Sequence, residues 1–211
     1  MRSMNEVDMP KKKLFLNRAI EILVAGGVGV LPTDTIYGLV GSALDRKTVG
    51  RIYRLKRRDP KKSMIVLIGD MSDLSLFGIT PTAKTKQLLE DLWPGKVSVV
   101  LGGDTKHATR DRENETWKHF EYLEKGAEGL AFRLPKPLWL RGLLKKTGPL
   151  VAPSANFENK PPALTIKEAK KYFGRNVDFY VDAGKLVSKP STLIKIKGGN
   201  IKMLRRGAVN L

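Results

Sequence analysis

Five short apolar runs, Val28 to Leu31, Met64 to Ile68, Val97 to Leu101, Leu130 to Leu134 and Pro149 to Ala152, punctuate this chain with helical stretches between them. Runs of this length fit buried strands better than buried helices. From Pro10 to Ala25 the apolar stripe Leu16, Ile20, Leu23 and Val24 predicts a helix, with Asp8 as cap and Gly26-Gly27 as stop. Asp45 opens a second helix, whose Val49, Ile52 and Tyr53 face inward while Arg51, Arg54 and Arg57 point elsewhere. Thr80-Pro81 predicts a third helix, with Pro at its first position, and Pro94-Gly95 ends it. Pro137 to Lys146 reads as a fourth, and Thr165-Ile166-Lys167-Glu168 is a capping box for a fifth that ends at Gly174. Phe179 to Val181 is a further strand. Thr192 to Ile196, the turn Lys197-Gly198-Gly199-Asn200 and Ile201 to Leu204 form a hairpin. Strands alternating with helices and closed by an antiparallel hairpin predict an α/β fold: one twisted, mixed, largely open sheet flanked by helices. There is no internal repeat and no low-complexity linker, so residues 1–211 are expected to form a single domain. Within it, 104–128 is a polar surface excursion that carries both His107 and His119 and is partly helical around Trp117 to Leu123.

Charge narrows the partners without choosing one. Lys and Arg total 39 against 21 Asp and Glu, a net charge of +18. Such a field attracts nucleic acid, nucleotides or anionic membranes, and it also serves solubility alone. Cysteine is absent, so disulfides and thiolate metal sites are excluded. No apolar run approaches the ~20 residues that span a bilayer. Met1-Arg2-Ser3-Met4 lacks the apolar core of a secretory signal, so the expected location is the cytoplasm, with no membrane partner.

Three pieces of sequence carry chemistry. Leu31-Pro32-Thr33-Asp34-Thr35-Ile36-Tyr37-Gly38-Leu39 runs from a strand into a hydroxyl-rich turn. Six of the nine residues from Arg54 to Lys62 are basic, in a run that ends a helix and precedes a buried strand. That run is either a solvated helix end, where cations suit the helix dipole, or a phosphate clamp. Its position favours the clamp, because loops at strand ends are where α/β proteins bind ligands. Pro153-Ser154-Ala155-Asn156 leaves a strand and offers hydrogen bonds to phosphate, carboxylate or base, although alone it reads as an ordinary turn. Neither GxxxxGK[ST] nor GxGxxG occurs, and Gly26-Gly27-Val28-Gly29 precedes a strand rather than following one. Side chains must therefore hold any triphosphate. With no Cys, no GxSxG and no metal-ligand spacing, the surviving reaction class is phosphoryl or nucleotidyl transfer by positioning and charge.

These pieces, with Trp93-Pro94-Gly95, Ala131-Phe132-Arg133, Pro190-Ser191-Thr192 and Leu204-Arg205-Arg206-Gly207, resemble in order and spacing the YrdC-like family, over about residues 14 to 209. The resemblance implies an open α/β sheet with a basic concave cavity. It also implies an L-threonylcarbamoyladenylate synthase, a nucleotidyltransferase that makes threonylcarbamoyl-AMP and pyrophosphate from L-threonine, bicarbonate and ATP for tRNA modification. It assigns Lys56, Arg58, Ser154 and Asn156 to catalysis. ATP binding falls to Arg58, Lys62, Ser154, Asn156 and Arg205, and threonine binding to Thr35, Arg133 and Ser191, with Leu67 as a candidate wall of that pocket. Mg²⁺ is expected to arrive with the ATP phosphates, without dedicated protein ligands. The implied partners are proteins of downstream threonylcarbamoyl transfer and, by charge, tRNA or double-stranded RNA. The sequence departs from the family at Lys96, where proline usually stands, at Leu67, where some relatives carry a polar residue or His, and in the long 104–128 segment. The end at Leu211 leaves no room for the extra C-terminal domain of longer relatives. A non-catalytic RNA-binding module is the first rival reading, but such a module has no need of the Lys56, Arg58, Ser154 and Asn156 set. The carbamoyl-transfer module of hydrogenase maturation proteins is the second, and its companion zinc fingers require cysteine.

Overall fold

The computed structural model describes residues 9–102, 120–124 and 129–211. Its elements run α1 (Met9–Val24), β1 (Gly29–Pro32), β2 (Tyr37–Ser42), α2 (Arg46–Lys56), β3 (Ile65–Leu67), a 3-10 helix (Met71–Phe77), α3 (Ala83–Leu92) and β4 (Val97–Leu101). They continue with α4 (Glu121–Glu124), β5 (Leu130–Arg133), α5 (Leu138–Thr147), β6 (Leu150–Val151), α6 (Ile166–Phe173), β7 (Phe179–Tyr180), β8 (Thr192–Lys197) and β9 (Asn200–Arg205). The strands form one sheet in the order β7-β1-β2-β6-β3-β5-β4-β8-β9.

The mixed, helix-flanked sheet agrees with the sequence reading. Antiparallel pairing is, however, far from confined to the last hairpin: β1–β2, β2–β6, β3–β6, β4–β5 and β8–β9 are all antiparallel. Parallel pairs are β1–β7, β3–β5 and β4–β8. Strand β2 was not expected, because Gly38 and Gly41 mask it as a turn. Packing requires the second of these glycines: a Cβ on Gly41 would lie 2.5 Å from Thr48 Cγ2. The 3-10 helix was also not expected, although Asp70 and Asp73 cap it reciprocally. The third helix begins two residues late, because Thr82 rather than Thr80 accepts the capping N–H, from Thr85. The expected box at α6 is only half formed: Thr165 accepts from Glu168 N, but Glu168 reaches past it to Leu164 N. Asp45 caps α2 as expected. The Asp8 cap, His107, His119 and the 117–119 part of the expected helix lie outside the described residues.

Alternation along the strands builds two unequal faces. Val30, Leu39, Val66, Val99, Phe132, Val151 and Ile194 join one large core with α2, α3 and α6. The intervening residues Leu31, Val40, Leu67 and Leu150 pack with Leu23 of α1 and Leu140, Leu143 and Leu144 of α5. Among the described residues those two helices cover only the β1-β2-β6-β3 half of the second face. Over β5, β4, β8 and β9 the same face carries Ala131, Val100, Leu193, Lys195, Lys202 and Leu204, which line a cavity. Among the described residues no helix is long and apolar enough to cross a membrane.

Two connections bring further residues to that cavity, among them Ser154 and Ser191. Pro153 to Ala155 extends the edge of β2, with Leu39 N donating to Pro153 O (2.9 Å) and Ala155 N donating to Tyr37 O (2.9 Å). Residues 181–191 then carry the chain from β7, at one end of the sheet, to β8 near the other. Tyr37 pins that crossing, donating to Gly184 O (2.8 Å) and accepting from Ala183 N (2.9 Å).

Candidate active site

A cavity of about 470 Å³ opens on the half of this face that no described helix covers, within the range of small-molecule sites. Its position follows from the fold: β5, β4 and β8–β9 supply the floor and far wall, and the Thr33–Thr35 turn and the Ser154 loop the near end.

The basic run divides three ways at the end of α2. Arg57 caps the helix in the left-handed conformation (φ 50°, ψ 40°), which turns the chain sharply. Lys56, just before it, is 2% exposed. Its Nζ donates to Ser154 O, to Asn156 O (2.8 Å) and to Asn156 Oδ1 (3.4 Å). Arg57 lies over the Phe157 ring, 4.3 Å from the centroid. Arg58 reaches the cavity, braced by Nε to Lys62 O (3.1 Å) and Nη2 to Ser63 O (2.9 Å).

This geometry places two of the expected catalytic residues behind the cavity lining. Lys56 is not among the cavity-lining residues; it is a buried tie that fixes the turn presenting Ser154. Burial and the Arg58 charge pull the Lys56 ammonium down to about 7, with Glu158 opposing. Asn156 is likewise turned away from the cavity, its Nδ2 closing the turn onto Phe157 O (2.8 Å) and Lys160 O (2.6 Å). Lys62 is not among the lining residues either; it is paired with Glu158 at 2.7 Å, and Glu158 also accepts from Asp59 N (2.7 Å). The Lys62 contact is the main cause that holds the Glu158 carboxyl below its ordinary value.

The other end of the cavity is built of hydroxyls and a guanidinium. Thr33 Oγ1 accepts from Thr35 N and Ile36 N and lies 3.0 Å from Thr35 Oγ1, so the turn is locked from within. Arg133, at the end of β5 and 4% exposed, donates to Thr35 Oγ1 (3.2 Å) and pairs with Asp34 at 3.1 Å. Ser191 Oγ shares a hydrogen bond with Ser98 Oγ (2.8 Å), and Arg205 donates to Ser191 O (2.9 Å). Thr35, Arg58, Arg133, Ser154, Ser191 and Arg205 all line the one cavity.

Leu67 does not. It pairs with Arg133 in register and shares its face of the sheet, but α5 covers it, and it is fully buried against Leu140, Leu143 and Leu144. The expectation that it walls the threonine pocket is therefore corrected. Lys195 and Lys202 line the cavity and were not expected. The signal was present, because both alternate with Ile194 and Ile196 or Ile201 and Met203 on the hairpin and so had to share a face.

Electrostatically the cavity is one-sided: among the described lining residues there are five cations and no carboxylate. Burial and the Arg58 charge hold Arg205 below its ordinary value. Burial does the same to Arg133, Asp34 opposing it and Arg205 adding to it. Guanidiniums fixed beside hydroxyls suit several phosphate oxygens at one end and a small carboxylate at the other.

Comparison with known proteins agrees with this architecture. The family model named for Sua5, YciO and YrdC, described as telomere recombination, matches residues 21–207. The threonylcarbamoyl-AMP synthase of Hahella chejuensis is 32% identical over 184 residues, covering 85% of this chain and 92% of the relative. The crystal structure of E. coli YciO superposes with a TM-score of 0.76 at 25% identity, over 94% of this chain and 91% of that one. P. abyssi Sua5 complexed with L-threonine has a TM-score of 0.77 at 24% identity; the match covers 91% of this chain but only 54% of Sua5. Since the matched span takes in every side chain that lines the cavity, the chain belongs to the Sua5/YciO/YrdC family.

Proposed function

We propose that this chain is an L-threonylcarbamoyladenylate synthase, a nucleotidyltransferase working as one domain. Its substrates are L-threonine, bicarbonate and ATP as the Mg²⁺ complex, the ion held by the phosphates. The observation that carries the reading is the convergence of Arg58, Arg133, Arg205, Ser154, Ser191 and Thr35 on one cavity with no carboxylate among the described lining residues.

Threonine, its α-carboxylate toward Arg133 and Ser191, attacks the bicarbonate carbon with its free amine; the bond to a bicarbonate hydroxyl breaks, that hydroxyl leaves with an amine proton as water, and the carbamate remains. A carbamate oxygen then attacks the α-phosphorus, the bond to the bridging oxygen breaks, and pyrophosphate leaves. Charge grows on the α-phosphoryl oxygens during that step. Arg58, braced by two carbonyls, and Arg205 are fixed cations facing the developing charge, and such preorganised groups are worth several kcal/mol in a water-poor site. Ser154 donates to the same group. Lys56 and Asn156 act behind it as positioning residues, and Lys62 exchanges Glu158 for a phosphate oxygen. No group in the site has to shuttle a proton across the α-phosphorus.

The product would pass to proteins that transfer threonylcarbamoyl to tRNA, in the cytoplasm. The net charge of +18 also suits direct contact with tRNA or double-stranded RNA through phosphates. The deciding experiment is pyrophosphate release with threonine and bicarbonate supplied separately and together. Release should require both, and equal ATP turnover without them would reduce the protein to a plain ATPase.

A further inference from the structure

Asp34 lies between two cavity-lining residues, Thr33 and Thr35, yet its side chain is only 3% exposed. Its Oδ1 is 3.1 Å from Arg133 Nη2, and neither carboxylate oxygen has a hydrogen bond among the described residues. The pair is therefore an ion pair off the donor direction. Arg133 Nε is likewise without a partner, so Thr35 Oγ1 is the hydrogen-bond acceptor holding this guanidinium.

A buried pair made this way is a poor source of stability. Desolvating both charges costs about as much as their attraction returns, and well-packed neutral side chains commonly do as well or better. Local costs of this kind concentrate at functional sites. The cavity explains why a counter-charge is needed here. Arg58, Lys195, Lys202 and Arg205 line the same space as Arg133, and no carboxylate stands among the described lining residues. Without Asp34 the guanidinium would be a buried cation held by one hydroxyl and repelled by Arg205.

We infer that Asp34 is a positioning residue for the amino-acid end of the cavity: its carboxylate holds the Arg133 guanidinium against the Thr35 hydroxyl, where it meets the substrate's α-carboxylate. Asp34 acts through Arg133 and does not touch the substrate. The inference rests on the synthase reading for the identity of that substrate.

The test uses the full chain and measures pyrophosphate release while threonine and ATP are varied in turn, with a melting curve for each variant. Asp34→Asn should raise the threonine KM at least tenfold and leave the ATP KM within twofold. A purely structural role would move both constants, or kcat and melting temperature alone. Arg133→Gln should give a similar selective rise. The double variant Asp34→Asn/Arg133→Gln should add no more than twofold to Arg133→Gln, because both residues work through one guanidinium. Where Asp34→Asn does not fold, Asp34→Glu, which keeps the charge and displaces it by one methylene, should show the same selective rise. An unchanged threonine KM, an equal rise in both constants or multiplicative effects in the double variant would overturn the inference while leaving an active wild type as a synthase. An inactive wild type overturns the synthase reading and this inference with it.

Discussion

Replacing Lys56 with Met should separate stability from activity and make the difference depend on pH. The ammonium is buried, and its pKa falls from the ordinary 10.5 to about 7. That shift corresponds to a penalty on the charged form of roughly 5 kcal/mol, at about 1.4 kcal/mol per pH unit. Against it, the side chain satisfies the carbonyls of Ser154 and Asn156, each of which costs about 1–3 kcal/mol when stranded. The two effects offset to within a few kcal/mol, so Lys56→Met should fold and melt near wild type around neutral pH. The sign with pH follows from the lowered pKa. Between about 7 and 10.5 the unfolded chain holds the extra proton, so wild-type stability rises with pH relative to the variant by up to about 1.4 kcal/mol per unit. Below about 7 the penalty is complete and the two curves should run parallel. Activity should behave differently: losing the tie lets the Ser154 turn shift, and a displacement of about 1 Å at a reacting group costs on the order of 100-fold. The assay is urea unfolding of both proteins from about pH 6 to 9.5, a window that brackets the lowered pKa, with adenylate formation at a single pH. A stability difference independent of pH, or a variant with activity within threefold of wild type, would refute the reasoning.

Three further outcomes are expected. Arg58→Lys keeps the charge but loses the two-carbonyl brace and the fork, so adenylate formation should fall at least tenfold, while Arg57→Ala loses a ring contact worth about 0.5–1 kcal/mol and should keep activity within threefold; equal losses would mark the run as a diffuse basic patch. Leu67→Ala should destabilise by roughly 2–5 kcal/mol in denaturant unfolding without changing the ratio of threonine to serine turnover, which one methyl sets at about 10–200-fold; an altered ratio would return Leu67 to the pocket wall. RNA binding, measured by titration at several salt concentrations, should weaken steeply and with little sequence preference as salt rises, and salt-insensitive binding would contradict a purely phosphate-directed contact.

The apolar runs announced most strands, because a continuous run of four or five residues has few other uses. They could not announce pairing direction, since Leu150 and Val151 look alike from either side of β6. Arg58, Arg133, Ser154, Ser191 and Arg205, which the fold gathers on one cavity, stood out in the sequence through their motifs. The burial of Lys56 was not legible for a local reason: the chain turns at Arg57 in a left-handed conformation that non-glycine residues rarely adopt, with Lys56 buried before it and Arg58 on the cavity after it. That Asn156 closes a turn was not legible because a side-chain amide serves a turn as readily as a ligand. Asp34 stood in view inside the hydroxyl-rich turn, but its partner Arg133 lies far along the chain on β5, and no local pattern connects them.

The crossing from β7 to β8 acts as a measured span. Seven strand spacings separate those strands in the sheet order, roughly 34 Å at about 4.8 Å each along the sheet. The chain has twelve residue steps from Tyr180 to Thr192 to cover it, at most about 40 Å when extended. Measured along the sheet the segment has little length to spare, part of it folded in the turn from Asp182 to Gly184, and Ser191 is fastened near its far end. Surface connections usually tolerate gain or loss of residues at little cost, but a shortening of two or three residues here has to be taken up by that turn, by the β7 pairing or by the contact of Ser191 with Ser98. The length of a stretch of coil thus bears on where a cavity-lining hydroxyl stands.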